Sequence, residues 1–530
     1  MKRNFRPLYL SLAFAFALAS CGTQKMVSTP VENIDNLPLK TTPVAENDLK
    51  RWSHLDLVKD TVPGMSVDKA YKELIKGKKG KKVIVGIVDS GVDINHEDLK
   101  AVIWTNPKEI AGNGIDDDKN GYIDDIHGWN FLGDAVHEQL EMTRIVKKGP
   151  GTPDYDKAKA ELEEELKGIQ PQKQQLDFIL NAEKTVATFL KKSDFTLEEV
   201  KAIQSDETGV KQAKAMFTQI LSKSTKAEFD AQIEEFKDYV YGQINYNLNV
   251  EFDGRKIVGD NPNDLNDTKY GNNNVVGPEP KEAKHGTHVA GIVAQVRGNN
   301  LGGDGVTNNA QILTVRAVPN GDEYDKDIAL GIRYAVDNGA KVINGSFGKY
   351  YSQQKEWVID AIKYAESKDV LVVIAAGNES FDLDVTNKYP NDTYDGSPEF
   401  AKNVLIIGAL SPAYGSKMIA DFSNYGKNNV DIYAPGDEIY ATTPLNTYEY
   451  LQGTSMASPN VAGVATLIRS YYPSLNAVQV KQIIMESGTP LKNTVTIGED
   501  KHKANFADAS KSGRIVNAYN ALVLAAKMAK

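Results

Sequence analysis

Three short segments carry side chains that together do nucleophilic chemistry. The first, VIVGIVDSGVDINHEDL, holds Asp89. The second, HGTHVAGIVAQ, opens on His285, and the third, GTSMASPNVAGVATLI, holds Ser455. A serine hydroxyl is a poor nucleophile until a base takes its proton. An imidazole is such a base near neutral pH, and a buried carboxylate fixes its tautomer and stabilises the imidazolium. His285 and Ser455 each begin a segment that reads as a helix, where free N–H groups favour developing negative charge. The small neighbours Gly286, Thr287, Gly453 and Thr454 permit close backbone approach.

These side chains need a frame. The run KKVIVGIVD, Lys81–Asp89, is continuously β-branched and apolar, as expected of a strand buried on both faces of a parallel sheet. Similar runs cover 311–318, 341–346, 370–376 and 404–410, and helical patterns over 327–338 and 354–367 separate them. Strands alternating with helices predict an α/β fold built on a mainly parallel sheet, and Asp89 falls where a strand ends, the edge at which such sheets form sites. The rhythm breaks from about Val136 to Tyr246, a stretch rich in Lys, Glu, Gln and Ala. There Ile179, Ala182, Val186 and Phe189 recur at helical spacing, and Thr196 with Glu199 and Thr225 with Glu228 read as capping boxes. This is expected to be an inserted helical subdomain (136–246) with a small core and a solvated charged face, splitting a catalytic domain into 51–135 and 247–530.

The three segments, in the order Asp, His, Ser, resemble the motifs of the subtilisin-like serine proteases, the subtilases. The resemblance covers roughly 51–135 and 247–525 and implies a subtilisin-like three-layer α/β fold and a serine endopeptidase acting through an acyl-enzyme. Carried over by motif, Asp89 is the orienting acid, His285 the general base and Ser455 the nucleophile; His288 is structural. In LVVIAAGN the family's oxyanion-hole asparagine falls on Asn378, acting with the Ser455 backbone N–H. VINGSFG resembles the strand lining the substrate cleft, with Gly345 where methionine is often found; it makes Ser346, Phe347 and Gly348, with Ala376 and Gly377, the expected substrate-binding residues. DFSNYG, APG and GRIVNAYNAL fit the family too. An apolar residue before the scissile bond is the family-level expectation. Asp89 and His285 lie much further apart than in compact relatives, and the acidic loop over Asn113–Asp125 and the helical insertion fill the gap. It is expected to pack near the cleft and limit access.

Residues Asn113–Asp125 read NGIDDDKNGYIDD, an oxygen-rich pattern of the EF-hand type. Asp116, Asp118, Asn120, the Tyr122 carbonyl, Asp124 and Asp125 are the expected ligands of a structural Ca2+. His127 stands where the closing Glu would be, so the last carboxylate must come from elsewhere, with Asp125 one candidate. The alternative is an Asp/Asn-rich surface turn. DNPNDLND, Asp260–Asp267, is a weaker candidate.

The formal net charge of -10 argues against a nucleic-acid binder. The single cysteine, Cys21, rules out an intramolecular disulfide. Lys2, Arg3 and Arg6 precede an apolar run over Leu8–Leu18, ending in Leu-Ala-Ser-Cys-Gly. This resembles a secretory signal (1–20) with a bacterial lipobox, implying acylation of Cys21 and a lipid-anchored protein of the cell envelope, expected at the outer membrane on either face. Residues 21–50 are polar and read as a tether too short for a folded N-terminal prodomain. Protein or peptide substrates are the expected partners, and the oligomeric state is left open. Two rival readings stand beside the protease: a binding or assembly protein on the same scaffold without turnover, and a metallohydrolase, which the HGTH segment disfavours because it lacks the HExxH arrangement.

Overall fold

The computed structural model describes residues 44–529. The signal, Cys21 and most of the tether lie outside the described residues. The end of the tether forms a short helix, Glu46–Leu49, with Val44 and Leu49 against the core.

The buried runs form the strands of a central sheet. In chain order these are β1 (Val83–Asp89), β2 (Gly128–Asn130), β3 (Ala310–Arg316), β4 (Val342–Gly345), β5 (Leu371–Ala375), β6 (Val404–Leu410) and β7 (Ile432–Pro435). A hairpin follows, β8 (Ile439–Thr443) with β9 (Thr447–Leu451). Then come β10 (Thr489–Pro490), a small ribbon of β11 (Thr494–Ile497) and β12 (His502–Asn505), and β13 (Arg514–Ile515). The nine-stranded sheet runs β10-β13-β7-β6-β5-β4-β1-β3-β2. Its ladder from β13 to β2 is parallel, and only the terminal β10–β13 pair is antiparallel. The fold is thus α/β, as the alternating pattern predicts.

The strand order reverses at β1. The chain leaves β1 for β3 on one side and returns to β4 on the other, so β1 lies between them with Asp89 beside Arg316 and Val88 beside Gly345. Ligands of open α/β sheets bind outside the carboxyl ends of the strands at such a reversal. Helices Asp325–Asp337 and Lys355–Ser367 pack together on one face. Helices Lys284–Ala294, Thr454–Tyr471, Ala477–Ser487 and Ala518–Met528 cover the other. Helix Thr454–Tyr471 is buried continuously from Met456 to Ser470. It is buried all round because it runs through the core against β4–β7, and its polar side chains Ser458, Asn460 and Thr466 are hydrogen-bonded there.

Residues 136–246 are largely helical. Helices Glu141–Lys148, Tyr155–Leu190, Leu197–Ala202, Thr208–Leu221 and Lys226–Gly242 enclose their own core, which includes Leu162, Val186, Phe217 and Phe229. Both capping boxes are formed, Thr196 with Glu199 and Thr225 with Glu228. Of the four apolar positions read at helical spacing, Ala182 and Val186 are buried and Ile179 packs against them, whereas Phe189 is 43% exposed one residue from the helix end. The two ends of the lobe meet, the Leu140 N–H donating to the Asn247 carbonyl at 3.0 Å.

Candidate active site

Asp89 is 1% exposed at the carboxyl end of β1. Its Oδ1 lies 2.6 Å from His285 Nδ1 and accepts the Ser90 N–H at 2.7 Å. An imidazole held by Nδ1 on a carboxylate presents Nε2 to the other side, as a general base must. His285 is the second residue of its helix, and its side chain stays 39% exposed. Burial works to lower its pKa. Attraction to Asp89 and the hydrogen bond between them more than offset this, and the value is raised above the ordinary histidine range. The following residue must be glycine: a Cβ on Gly286 would collide with the Gly91 carbonyl and come within 3.1 Å of Asp89 Cβ. His288, by contrast, is fully buried, and its Nε2 lies 3.1 Å from the Glu449 carbonyl. Burial lowers its pKa to about 3, so it is neutral and structural.

Ser455 stands second in helix Thr454–Tyr471, where its N–H has no partner one turn back. Its hydroxyl donates to the Ser346 carbonyl at 3.1 Å. Pro459, one turn along, has no N–H to offer the Ser455 carbonyl. Ser346 Oγ donates to that carbonyl instead, at 2.8 Å. Asn344 Nδ2 donates to Ser346 Oγ at 2.8 Å, and Asn344 Oδ1 accepts from Ser458 Oγ at 2.8 Å. The end of β4 and the nucleophile's helix are thereby locked together.

Asn378 follows β5. Its Oδ1 accepts from the Thr454 N–H at 2.8 Å and from Thr454 Oγ1 at 3.0 Å. An N–H can only be received by the oxygen, so Nδ2 is left on the other edge of the amide as a free donor. Thr454 Oγ1 in turn accepts the Gly377 N–H at 2.9 Å. The amide and the Ser455 N–H are therefore carried on one rigid junction.

Ser346, Phe347 and Gly348 line a cleft of about 330 Å³ together with His285 and the segment Asn320–Glu323. The other two expected binding residues, Ala376 and Gly377, lie on the neighbouring chain beyond β5. Asn424 Nδ2 ties them to Tyr350, donating to the Ala376 carbonyl at 2.8 Å and lying 2.9 Å from Tyr350 Oη. The helical lobe is rooted on this cleft. Val136 and Glu138 hydrogen-bond the backbone of Asn320 at 2.8 and 2.9 Å. Arg144 donates to the carbonyls of Asp322 and Glu323 at 2.9 and 3.1 Å and pairs with Glu141. Lys349 donates to the Glu323 carbonyl at 2.8 Å and pairs with Glu141 and Asp325. Arg316, which sequence reasoning missed, donates to the carbonyls of Ser90, Gly133 and Ala135 and holds the turn after Asp89.

In the acidic loop the structure groups Asp116 and Asp118 with Glu109, ligand-type oxygens of all three lying within 4.8 Å of one another. Glu109 Oε2 is buried and has no hydrogen-bond partner. Asp124 instead receives the N–H groups of Gly112, Asn113 and Gly114. Asp125 is buried and receives Asn106, Asn120 and Tyr334. The Tyr122 ring packs on Trp129 and Tyr334, and Asn120 Oδ1 caps the Tyr122 N–H. Asp260 and Asp267 pair with Arg255 and Lys326, which accounts for that second acidic stretch.

The model of the subtilase family matches residues 80–507. A thermophilic serine proteinase of Bacillus sp. (strain AK1) is 38% identical over 239 residues, 45% of this chain and 52% of that protein. Thermitase of Thermoactinomyces vulgaris is 41% identical over 187 residues, 35% of this chain and 61% of that one. Subtilisin DY of Bacillus licheniformis is 36% identical over 216 residues, 41% and 74% of the two chains. The match thus spans about half the length of the first of these relatives. With the matched span running from β1 past the nucleophile helix to the far side of the sheet, the chain belongs to the subtilase family.

Proposed function

We propose that this chain is a serine endopeptidase that hydrolyses protein or peptide substrates. The observation that carries the reading is the 2.6 Å contact between Asp89 and a base at the mouth of the cleft, with the Ser455 hydroxyl held on the cleft wall at Ser346. For attack, the hydroxyl leaves the Ser346 carbonyl and gives its proton to His285 as the oxygen bonds to the scissile carbonyl carbon. Asp89 stabilises the imidazolium so formed. Negative charge on the former carbonyl oxygen is received by Asn378 Nδ2 and the Ser455 N–H, a type of contact whose loss costs about 100- to 1000-fold in rate. His285 then protonates the departing amine, and water, activated by the same imidazole, releases the acyl group.

A fluorophosphonate probe separates this from a scaffold that only binds. The purified protein should be labelled and should cleave an unfolded protein substrate, and Ser455→Ala should lose both, with turnover down about 10^6-fold. Labelling elsewhere, or cleavage by the alanine variant at the original rate, would defeat the assignment.

We infer that the acidic loop holds a structural Ca2+ between Glu109, Asp116 and Asp118, supported by the orphaned buried oxygen of Glu109. When bound, the ion would cross-link the loop to the segment before it and take no part in hydrolysis. The envelope anchor through an acylated Cys21 is supported by the lipobox resemblance alone.

A further inference from the structure

A groove of about 870 Å³ runs between the helical lobe and the body, and Gly348 and Asp322 line both it and the catalytic cleft. Helix Tyr155–Leu190 brings Glu161, Glu164 and Glu165 to the lobe side, with Asp154 as its N-cap residue, and Glu379 stands on the body side. Six carboxylates line the groove against three lysines. Two of these nine groups are engaged inside the protein: Lys349 pairs with Glu141 and Asp325, and Asp322 receives the Glu141 N–H. Lys157 lies 3.8 Å from Glu161 and over the Tyr351 ring, and Lys355 lies over the rings of Tyr389 and Tyr394. Asp154, Glu164 and Glu165 make no ion pair among the described residues. The groove is thus negative on balance.

Glu379 gives it a fixed point of contact. Its Oε2 receives the Tyr350 hydroxyl, Asn424 Nδ2 at 3.0 Å and the Asn378 N–H at 2.8 Å. All three donors reach one oxygen, and Oε1 has no donor among the described residues. A carboxylate already held in place binds a cation without first losing side-chain freedom. Glu379 also acts on the buried Lys388, which donates to the Phe347 carbonyl and is not on the groove wall.

The place of Glu379 decides what it meets. β4 and β5 are hydrogen-bonded neighbours as far as Gly345 and Ile374, and beyond them the chains part into the walls Ser346–Gly348 and Ala376–Asn378. A substrate bound for attack has its carbonyl carbon at Ser455 Oγ and its carbonyl oxygen at Asn378 Nδ2. The side chain of the residue supplying that carbonyl then enters the gap between the two walls. Glu379 and Tyr350 abut the second wall: a Cβ on Gly377 would come within 2.8 Å of Glu379 Oε2 and 3.1 Å of Tyr350 Oη.

We propose that this groove receives a Lys or Arg side chain from the substrate residue supplying the scissile carbonyl, with Glu379 as the specificity residue and the lobe carboxylates adding an attractive field. The tyrosine rings suit the methylene stem of such a side chain, and the carboxylates suit its charged head. The proposal rests on the protease reading above and departs from the apolar preference that the family resemblance implies.

The test is a set of chromogenic peptides identical except for Lys, Met or Leu at that position. Wild-type protein should cleave the Lys peptide with kcat/KM at least about tenfold above the Met peptide, in line with a hydrogen bond to a charged group. Glu379→Gln should bring that ratio close to one. Glu164→Gln combined with Glu165→Gln should lower it about two- to threefold and weaken its dependence on salt, because exposed charges act through a screened field. The ratio within one protein cancels any general loss of turnover, and the wild-type series tests the idea even if a variant is misfolded. Equal cleavage of the Lys and Met peptides, a wild-type preference for Leu, or an unchanged ratio in Glu379→Gln overturns the proposal, and an unchanged ratio in the double variant overturns the part given to the lobe. Wild-type protein that takes the fluorophosphonate label but shows no preference sinks this inference alone. Protein that takes no label and cleaves nothing sinks the protease reading, and this inference with it.

Discussion

At the scale of single residues, the site depends on which partner each polar atom is given. His285 is placed to act as a base because Asp89 takes Nδ1, whereas burial lowers the pKa of His288 and keeps it neutral. The sign of the resulting pH dependence follows. The pKa of His285 is raised by Asp89, and only the neutral imidazole accepts the serine proton. Activity should therefore fall as pH drops through a value above the ordinary histidine range. In Asp89→Asn the raising interaction is gone and the tautomer is no longer fixed. kcat should fall about 10^4-fold, and the acid limb of what remains should move to lower pH. A pH profile of kcat/KM for both proteins checks this, and an acid limb at the same pH in the variant would show that Asp89 does not act through His285. The Asn344–Ser346–Ser455 chain of hydrogen bonds is a second residue-scale device, with Pro459 leaving the carbonyl that Ser346 occupies.

At the scale of elements, the long buried runs were easy to read because a parallel strand covered on both faces must be apolar throughout. β1, β3, β4, β5 and β6 all lie within two residues of their expected bounds at each end. The β8–β9 hairpin was missed because β9, TYEYL, is largely solvent-facing and carries no apolar run. The pairing of Asp89 with His285 could be read because both sit in distinctive motifs. Glu109 could not, since it lies outside the loop whose spacing drew attention. The loop is also where a prediction can be made. Removing Ca2+ should lower the melting temperature by a few °C, because an ion at a hundred times its Kd contributes about 2.7 kcal/mol, and in a chain this large each kcal/mol is worth only a few degrees. Thermal melts with chelator and with restored Ca2+ measure the effect, and Glu109→Gln should abolish most of it. Identical melts with and without the ion would return the loop to an ordinary surface turn.

At the scale of the whole molecule, a sheet-based body carries a helical lobe with a separate core, and the two meet at the cleft through the Glu141–Arg144–Lys349 cluster. Under the proposed envelope anchor, retention at a membrane would come from the N-terminus. Two or more acyl chains on Cys21, at about 0.8 kcal/mol per buried methylene, would suffice. Cys21→Ala should release the active enzyme from the membrane pellet into the soluble fraction without altering its kinetics on short peptides. A variant that still pellets with the membranes would rule out the lipid. The join between Leu140 and Asn247 has a consequence for engineering. Because the chain comes back to its own starting point there, a short turn could bridge a cut that excises the lobe, with Asp325 still paired to Lys349. Domains of other shapes could be spliced into the same socket, changing what stands beside the cleft while leaving the sheet beneath it intact.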